Sequence, residues 1–556
     1  MKFDVSRYLC AWIFLIAAIA VPAQAKERDS LVIGITQFPA AFHPNMESML
    51  AKYYVLNMTM RPITAYDKNW ELTCLLCTSI PTIENAEAVV TQLEDGGEGI
   101  AVTYTIHPDA RWGDGTPVST RDVKYTVEVG KDPLSGVLSA EFYRRIISVD
   151  AHDEKTFTVY WDRIDFKYNE FSLYLLPEHI DRKYFTDAEK YREHNAYNTE
   201  VANPGLYSGP YRISHIEHGS HIELVRNEKW WGDAPYFDKI VVRIIENTAA
   251  LEANLLSGSI DYVSGPLGLP LDQALTFRKR RQDSFDYKFQ PGLIYEHIDL
   301  NLENPILADV RVRQALLYAV DRQALSDLLF EGKQPVANVF VSELDVSYHT
   351  EVKTYSYDKD QASKLLDEAG WTNWIDGIRH NADNQPLRLE FGTTAGSRGR
   401  ETVQQVLQGQ WKEVGIDVRI HNQPARVFFG DTVTHRKFGA LAMFAWINNP
   451  ETSPRPTLHS EEIPNDDNQW VGNNFTSFSN SEMDELIDRL EVTLDSTQRM
   501  RIWAKIQDIY AQQLPSLPLY FRSNAYIIPK WLKGIEPTGN TSTTTLWIEN
   551  WSVESQ

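Results

Sequence analysis

His215, Glu217, His218 and His221 fall within seven residues, and each is a residue type that ligates metal ions. In a strand, however, successive side chains alternate faces, so His215 and Glu217 would point away from His218. The segment reads as a solvated hairpin, and no metal site is expected. Asp286, Glu296, Asp299 and Glu303 scatter along a second stretch. Paired carboxylates suit glycoside hydrolysis only at a set separation in space, which linear spacing does not fix. Cys74-Leu75-Leu76-Cys77 has the C-x-x-C spacing of a redox centre or a local disulfide. No adjacent basic residue lowers a thiol pKa there, and two further zinc ligands are missing nearby. Cys74 and Cys77 are expected to close on each other in an oxidising compartment. The sequence holds no H-E-x-x-H, no G-x-S-x-G, no G-x-x-x-x-G-K-[ST] and no G-x-G-x-x-G after a strand. Triads also assemble from distant positions, so an exported hydrolase stays open as a minor alternative. The expectation is no enzyme activity and no cofactor.

The elements that must position such residues alternate between strands and helices. Leu31–Thr36 reads as a buried strand, Ala101–Ile106 as a half-buried one and Thr156–Trp161 as a further strand. Asp114-Gly115 marks a turn and Thr120 opens a helix. Ile213–Val225 reads as two strands around Gly219-Ser220. Apolar residues from Val310 to Leu329 predict one amphipathic helix, with Asp309 as N-cap and Gly332 as stop. A strand at Leu387–Phe391, a helix through Val403 to Val414 and a strand at Ile416–Ile420 form a parallel strand–helix–strand unit. Helices over about 480–493 and 496–513 precede a strand at Leu517–Phe521.

The chain has 556 residues, 54 Lys+Arg against 76 Asp+Glu and a net charge of -22. That length allows several domains and an ample core, and the charge disfavours a binder of nucleic-acid phosphates. Lys2 and Arg7 precede an apolar run from Leu9 to Val21, then Pro22-Ala23-Gln24-Ala25. This is the pattern of a secretory signal peptide cut after Ala25, and no later stretch reads as a membrane span. A periplasmic location follows.

Five motifs, in order, carry a resemblance. They are Tyr104 through Asp114-Gly115-Thr116-Pro117-Val118; Ser208-Gly209-Pro210-Tyr211 with Leu224-Val225-Arg226-Asn227-Glu228-Lys229-Trp230-Trp231; Ser257-Gly258-Ser259-Ile260-Asp261; Asp309-Val310-Arg311-Val312-Arg313-Gln314-Ala315-Leu316 through Arg322; and Lys364 through Gly370-Trp371. With them the chain resembles the extracytoplasmic solute-binding proteins of peptide-type ABC transporters, family 5, the oligopeptide- and dipeptide-binding group. The motifs themselves are scaffold: turns, caps and packing positions.

The resemblance implies an α/β, two-lobed periplasmic-binding-protein fold (type II, cluster C-like) with an inserted subdomain and a two-crossover hinge. Lobe I would combine 26–61, 177–290 and 516–556, the inserted subdomain 62–176, and lobe II 291–515. The chain would cross between lobes near Gly292–Leu300 and Pro515–Phe521. The implied partners are a peptide or peptide-like ligand and the ABC permease subunits at the inner membrane, with the receptor a monomer. An alternative is a non-peptide solute such as a metal chelate or a glycan.

The resemblance also implies site residues. Peptide binders of the family grip the ligand ammonium with an Asp shortly after a Trp. The Trp is Trp446, but the Asp position falls on Asn449, or on Asn448 with a one-residue slip. Asn accepts a hydrogen bond and supplies no charge. The Arg that the dipeptide branch uses for the ligand carboxylate aligns with Thr394, while Arg398 and Arg400 lie close by. The expected ligand-binding set is Trp446, Asn448, Asn449, Glu296, Arg398 and Arg400, with Glu296 a candidate for the missing carboxylate.

Overall fold

The computed structural model describes residues 28–138 and 140–554. The expected signal peptide lies outside the described residues. Ten strands form the largest sheet: β1 (Ser30–Ile35), β2 (Tyr211–Glu217), β3 (His221–Arg226), β4 (Lys239–Ile244), β5 (Tyr262–Val263), β6 (Phe285–Leu300), β7 (Arg388–Gly392), β8 (Asp417–Ile420), β9 (Leu441–Ile447) and β10 (Ser516–Pro529). Their spatial order is β8-β7-β9-β6-β10-β5-β1-β4-β3-β2. A separate four-stranded antiparallel sheet is built from 88–92, 98–105, 156–161 and 146–151, in that order.

The long strands β6 and β10 divide the large sheet into two halves. β9 pairs with the second half of β6, from Ile294 to Leu300. β5 meets β10 near its far end, Val263 opposite Ile527. Between these points β6 and β10 run antiparallel, and their register breaks between Pro291 and Tyr295. Such an irregularity bends a strand and releases ladder hydrogen bonds. Gly292 sits in the break, where an added Cβ would meet the Gly539 carbonyl oxygen at 2.7 Å. One hydrophobic core gathers residues between Leu31 and Leu267 with 526–551; another gathers Ile298–Met443 with 514–520. Two cores joined by two strands make two lobes and a hinge. The break overlaps the expected crossing in β6, and in β10 it lies at the C-terminal edge of the expected one.

Local chemistry sets the element ends. Ser119 and Asp122 form a capping box that opens the helix Thr120–Lys131. Gly115 (φ 93°) takes the left-handed conformation the Asp114-Gly115 turn requires. β2 and β3 form the hairpin around Gly219. There His215 and Glu217 are exposed, and His218 packs on Phe38. The expected single helix over 310–329 is instead two, α1 (Val310–Tyr318) and α2 (Arg322–Phe330). Asp321 breaks it by accepting from the Ala324 N–H as a second N-cap, at 2.8 Å. Buried Arg322 then turns inward to the carbonyls of Ala337, Pro518 and Tyr355. The unit β7–α3 (Arg398–Glu413)–β8 is parallel, as its sequence pattern predicts. Helices α4 (Ser481–Val492) and α5 (Ser496–Gln513) lead into β10. Cys74 and Cys77 are joined by a disulfide. No helix of the described residues is long and apolar enough to cross a membrane.

Candidate functional site

β7, β8 and β9 run parallel, with β7 in the middle. The chain leaves β7 for β8 through α3, and then returns past β7 to pair β9 on its other edge. The strand order therefore reverses between β7 and β9, and the crevice beyond their carboxyl ends is where open α/β sheets bind ligands. Thr393 and Thr394 follow β7; Asn448 and Asn449 follow β9. The crevice is braced from within: the Thr393 hydroxyl donates to the Met443 carbonyl at 2.8 Å, and its N–H donates to Asn422 Oδ1 at 3.1 Å.

Trp446, near the end of β9, is half-buried. It stacks on Phe475 with centroids 5.9 Å apart and meets Phe444 edge-on at 5.4 Å. Behind it a small cavity is lined by Tyr295, His297, Asp299 and Ser516. The Ser516 hydroxyl donates to Asp299 at 2.8 Å, and His297 lies 3.1 Å from the same carboxylate. The Asn448 N–H donates to the Leu293 carbonyl in the hinge break at 3.3 Å. Its carboxamide makes no hydrogen bond among the described residues. Asn449 accepts a hydrogen bond from the Thr541 hydroxyl, from the other lobe.

Glu296 is fully buried and held by two guanidiniums. Arg400 Nε donates at 2.6 Å, and Arg522 closes on the other oxygen. Burial pushes the carboxyl pKa up, but Arg522 and Arg400 outweigh it and hold the group below the usual carboxylate range. A carboxylate so occupied anchors the two arginines. Arg400 also donates to Thr394 Oγ1 at 3.2 Å. Arg398, the first residue of α3, is exposed and has no ion-pair partner among the described residues.

Asp286 and Glu303 are exposed, and Asp299 is buried on the face of β6 opposite Glu296. Asp286 lies about 30 Å along the strand from Glu296. These four carboxylates therefore do not converge on a common cleft.

The lobes also meet away from the hinge. The Phe166 N–H donates to the Glu491 carbonyl at 2.8 Å, and Lys167 Nζ to the Pro450 carbonyl at 2.9 Å. Where the lobes meet lies a chamber of about 430 Å³, lined by Tyr53, Tyr66, Tyr174, Glu170 and neighbours of the first lobe and its inserted subdomain, with Asn449 as the single lining residue from the second lobe. Its rim at Pro44–Ser48 is shaped by Lys52, whose buried ammonium donates to the carbonyls of His43 (3.0 Å), Pro44 (3.1 Å), Glu47 (2.8 Å) and Met46. The sequence reading missed Glu170, Tyr66, Lys52 and Arg522. They come from segments far apart in the chain, and no local spacing links them.

Two lobes, a two-strand hinge and a partly open chamber where they meet define a clamshell solute-binding protein. Residues 86–465 match the family model described as bacterial extracellular solute-binding proteins, family 5 Middle, and the chain belongs to this family. The oligopeptide-binding protein OppA of Bacillus subtilis (strain 168) is 23% identical over 533 residues, 92% of this chain and 91% of that protein. The solved oligopeptide binding protein from Thermus thermophilus, complexed with a pentapeptide, is 29% identical with a TM-score of 0.71, covering 95% of this chain and 96% of that one. NikA from Brucella suis, in complex with Fe(III)-EDTA, superposes with a TM-score of 0.79 over 94% of this chain and 100% of that one. At 18% identity that likeness shows the fold alone.

Proposed function

We propose that the protein captures a peptide or peptide-like solute outside the cytoplasm, closes its lobes over it and delivers it to the permease subunits of an ABC importer, making and breaking no bond. The observation that carries this reading is a chamber at the meeting of two lobes, which Asn449 of the second lobe closes off beyond a two-strand hinge. Ligand bound there gains contacts to both lobes only in the closed form, so binding drives closure. The relatives named for oligopeptides support the ligand class.

In this reading Trp446 is an aromatic wall, and Asn448 and Asn449 hydrogen-bond ligand polar groups. Arg400 and Arg522 meet a ligand carboxylate, and Arg398 adds positive charge at the start of α3. The lobes divide as 26–61, 177–290 and 516–556 against 291–515, with 62–176 inserted. The protein is a periplasmic monomer cut after Ala25. The test is calorimetric titration of the purified chain with a random pentapeptide library: saturable binding supports the reading, and no binding refutes it. The alternative of a non-peptide solute, a metal chelate or a glycan, draws on the absent carboxylate at Asn449 and on the fold shared with NikA. Mass spectrometry of ligand released from the natively purified protein separates the two.

A further inference from the structure

The chamber has a pronounced charge asymmetry. Among the described residues that line it, Glu170 alone carries a formal charge. The rest of the wall is tyrosine rings, small polar groups and a few apolar side chains. Tyr53 and Tyr174 stand parallel with centroids 6.3 Å apart, and Tyr66 donates its hydroxyl to Glu170 Oε2 at 3.1 Å. Burial and the Glu170 charge push the Tyr66 pKa far up, so its hydroxyl stays a donor.

Glu170 is only half used by the protein. Its Oε2 takes both Tyr66 and Lys167, the latter at 3.0 Å. Its Oε1 has no hydrogen-bond donor among the described residues. A second cavity, of about 530 Å³, shares Glu170, Ser172 and Leu173 with the chamber. Glu170 thus stands at the junction of the two spaces, within reach of a ligand in either.

The surroundings already hold one primary ammonium. Lys167 Nζ lies on Glu170, 5.6 Å from the centroid of the Tyr66 ring, and donates to the Pro450 carbonyl. A carboxylate, an aromatic face and a carbonyl together recognise an alkylammonium. Glu451 and Asp345 also act on Tyr66, and Arg61, paired with Glu549, acts on Tyr174. Glu451 is paired with Arg499 at 3.2 Å, and Lys167 at 3.0 Å contacts Glu170 through Oε2 alone, which leaves Oε1 as the open acceptor.

From this arrangement we infer that Glu170 is the acceptor for a cationic group of the ligand, a primary ammonium received on Oε1 among Tyr53, Tyr66 and Tyr174. The carboxylate that the chain lacks at Asn449 then comes from the opposite lobe. The ammonium would cross the same gap that Thr541 and Lys167 cross, so its recognition is coupled to closure. This inference rests on the chamber being the ligand site.

The test is calorimetric titration of the full chain with two pentapeptide libraries of identical composition, one with free and one with acetylated N-termini. A charge-assisted hydrogen bond in a partly enclosed site predicts that acetylation weakens binding about tenfold or more. In Glu170→Gln the two libraries bind within about threefold of each other, and a cooperative thermal unfolding transition shows that the variant is folded. If Glu170→Gln does not fold, Glu170→Asp withdraws the carboxylate by one methylene and is expected to lose part of the discrimination. Equal binding of both libraries to the unaltered protein, or full discrimination in the variant that is measured, overturns the inference while leaving peptide capture intact. Binding of neither library refutes peptide capture and the inference together.

Discussion

The Thr541 hydroxyl donates to Oδ1 of Asn449, joining residues that sit on opposite lobes and 92 positions apart in sequence. Asn449 faces the chamber as well as its lobe partner. One side chain therefore touches both the chamber and the contact that bridges the lobes.

Thr541→Val removes that hydroxyl with little change of shape. The bond forms only when the lobes meet, so the loss falls on dissociation and not on encounter. An exposed neutral hydrogen bond contributes about 1 kcal/mol, which predicts a dissociation rate raised about fivefold with association unchanged. Stopped-flow tryptophan fluorescence with a bound pentapeptide reads both rates.

Gly292 occupies the break between the two halves of β6, with the Gly539 carbonyl 2.7 Å from where a Cβ would stand. Gly292→Ala forces two backbone segments apart at the hinge. The variant is expected to lose about 1–3 kcal/mol of stability, seen as a lower thermal unfolding midpoint. Gly399→Ala, where nothing lies within 4 Å of the added carbon, serves as the control with little change.

Glu296→Gln leaves Arg400 and Arg522 without their shared buried anion. Breaking a buried pair from one side costs about 3–5 kcal/mol at neutral pH. The pH dependence follows from the sign of the shift: the folded carboxyl sits below its ordinary 4.5. Its contribution is present above about 4.5 and is lost as pH falls through the depressed folded value. The stability gap between the two proteins therefore narrows on acidification, as urea unfolding at neutral and acid pH measures.

Lys52→Met strands the four carbonyls that converge on its ammonium. The loss is expected to be about 3 kcal/mol or more, with peptide binding weakened because Pro44, Asn45 and Ser48 line the chamber. Chemical denaturation and calorimetry on the same sample check both.

The scaffold was legible in the sequence because its signals are local. Alternation predicts the strand at Ala101–Ile106, and helical spacing predicts the helix start after Asp309 and the α3 helix that ends at Gly415. The break at Asp321 was missed because apolar spacing runs on through it, and only the cap and the inward turn of Arg322 interrupt the helix. At the site, Trp446 and Asn449 stood out through their place in a motif. Glu296 was noticed as a carboxylate, but its two arginines come from α3 and β10, over a hundred residues away. Glu170 carried no signal at all, since its meaning depends on Tyr66, Lys167 and the opposite lobe being folded around it.

The central claim is that ligand is held by closure of two lobes about β6 and β10. Small-angle X-ray scattering of the purified chain, with and without a saturating pentapeptide, tests it most directly. The account predicts a smaller radius of gyration in the bound state, with the change reversed when peptide is removed. A radius that stays constant while calorimetry shows the peptide bound would contradict it.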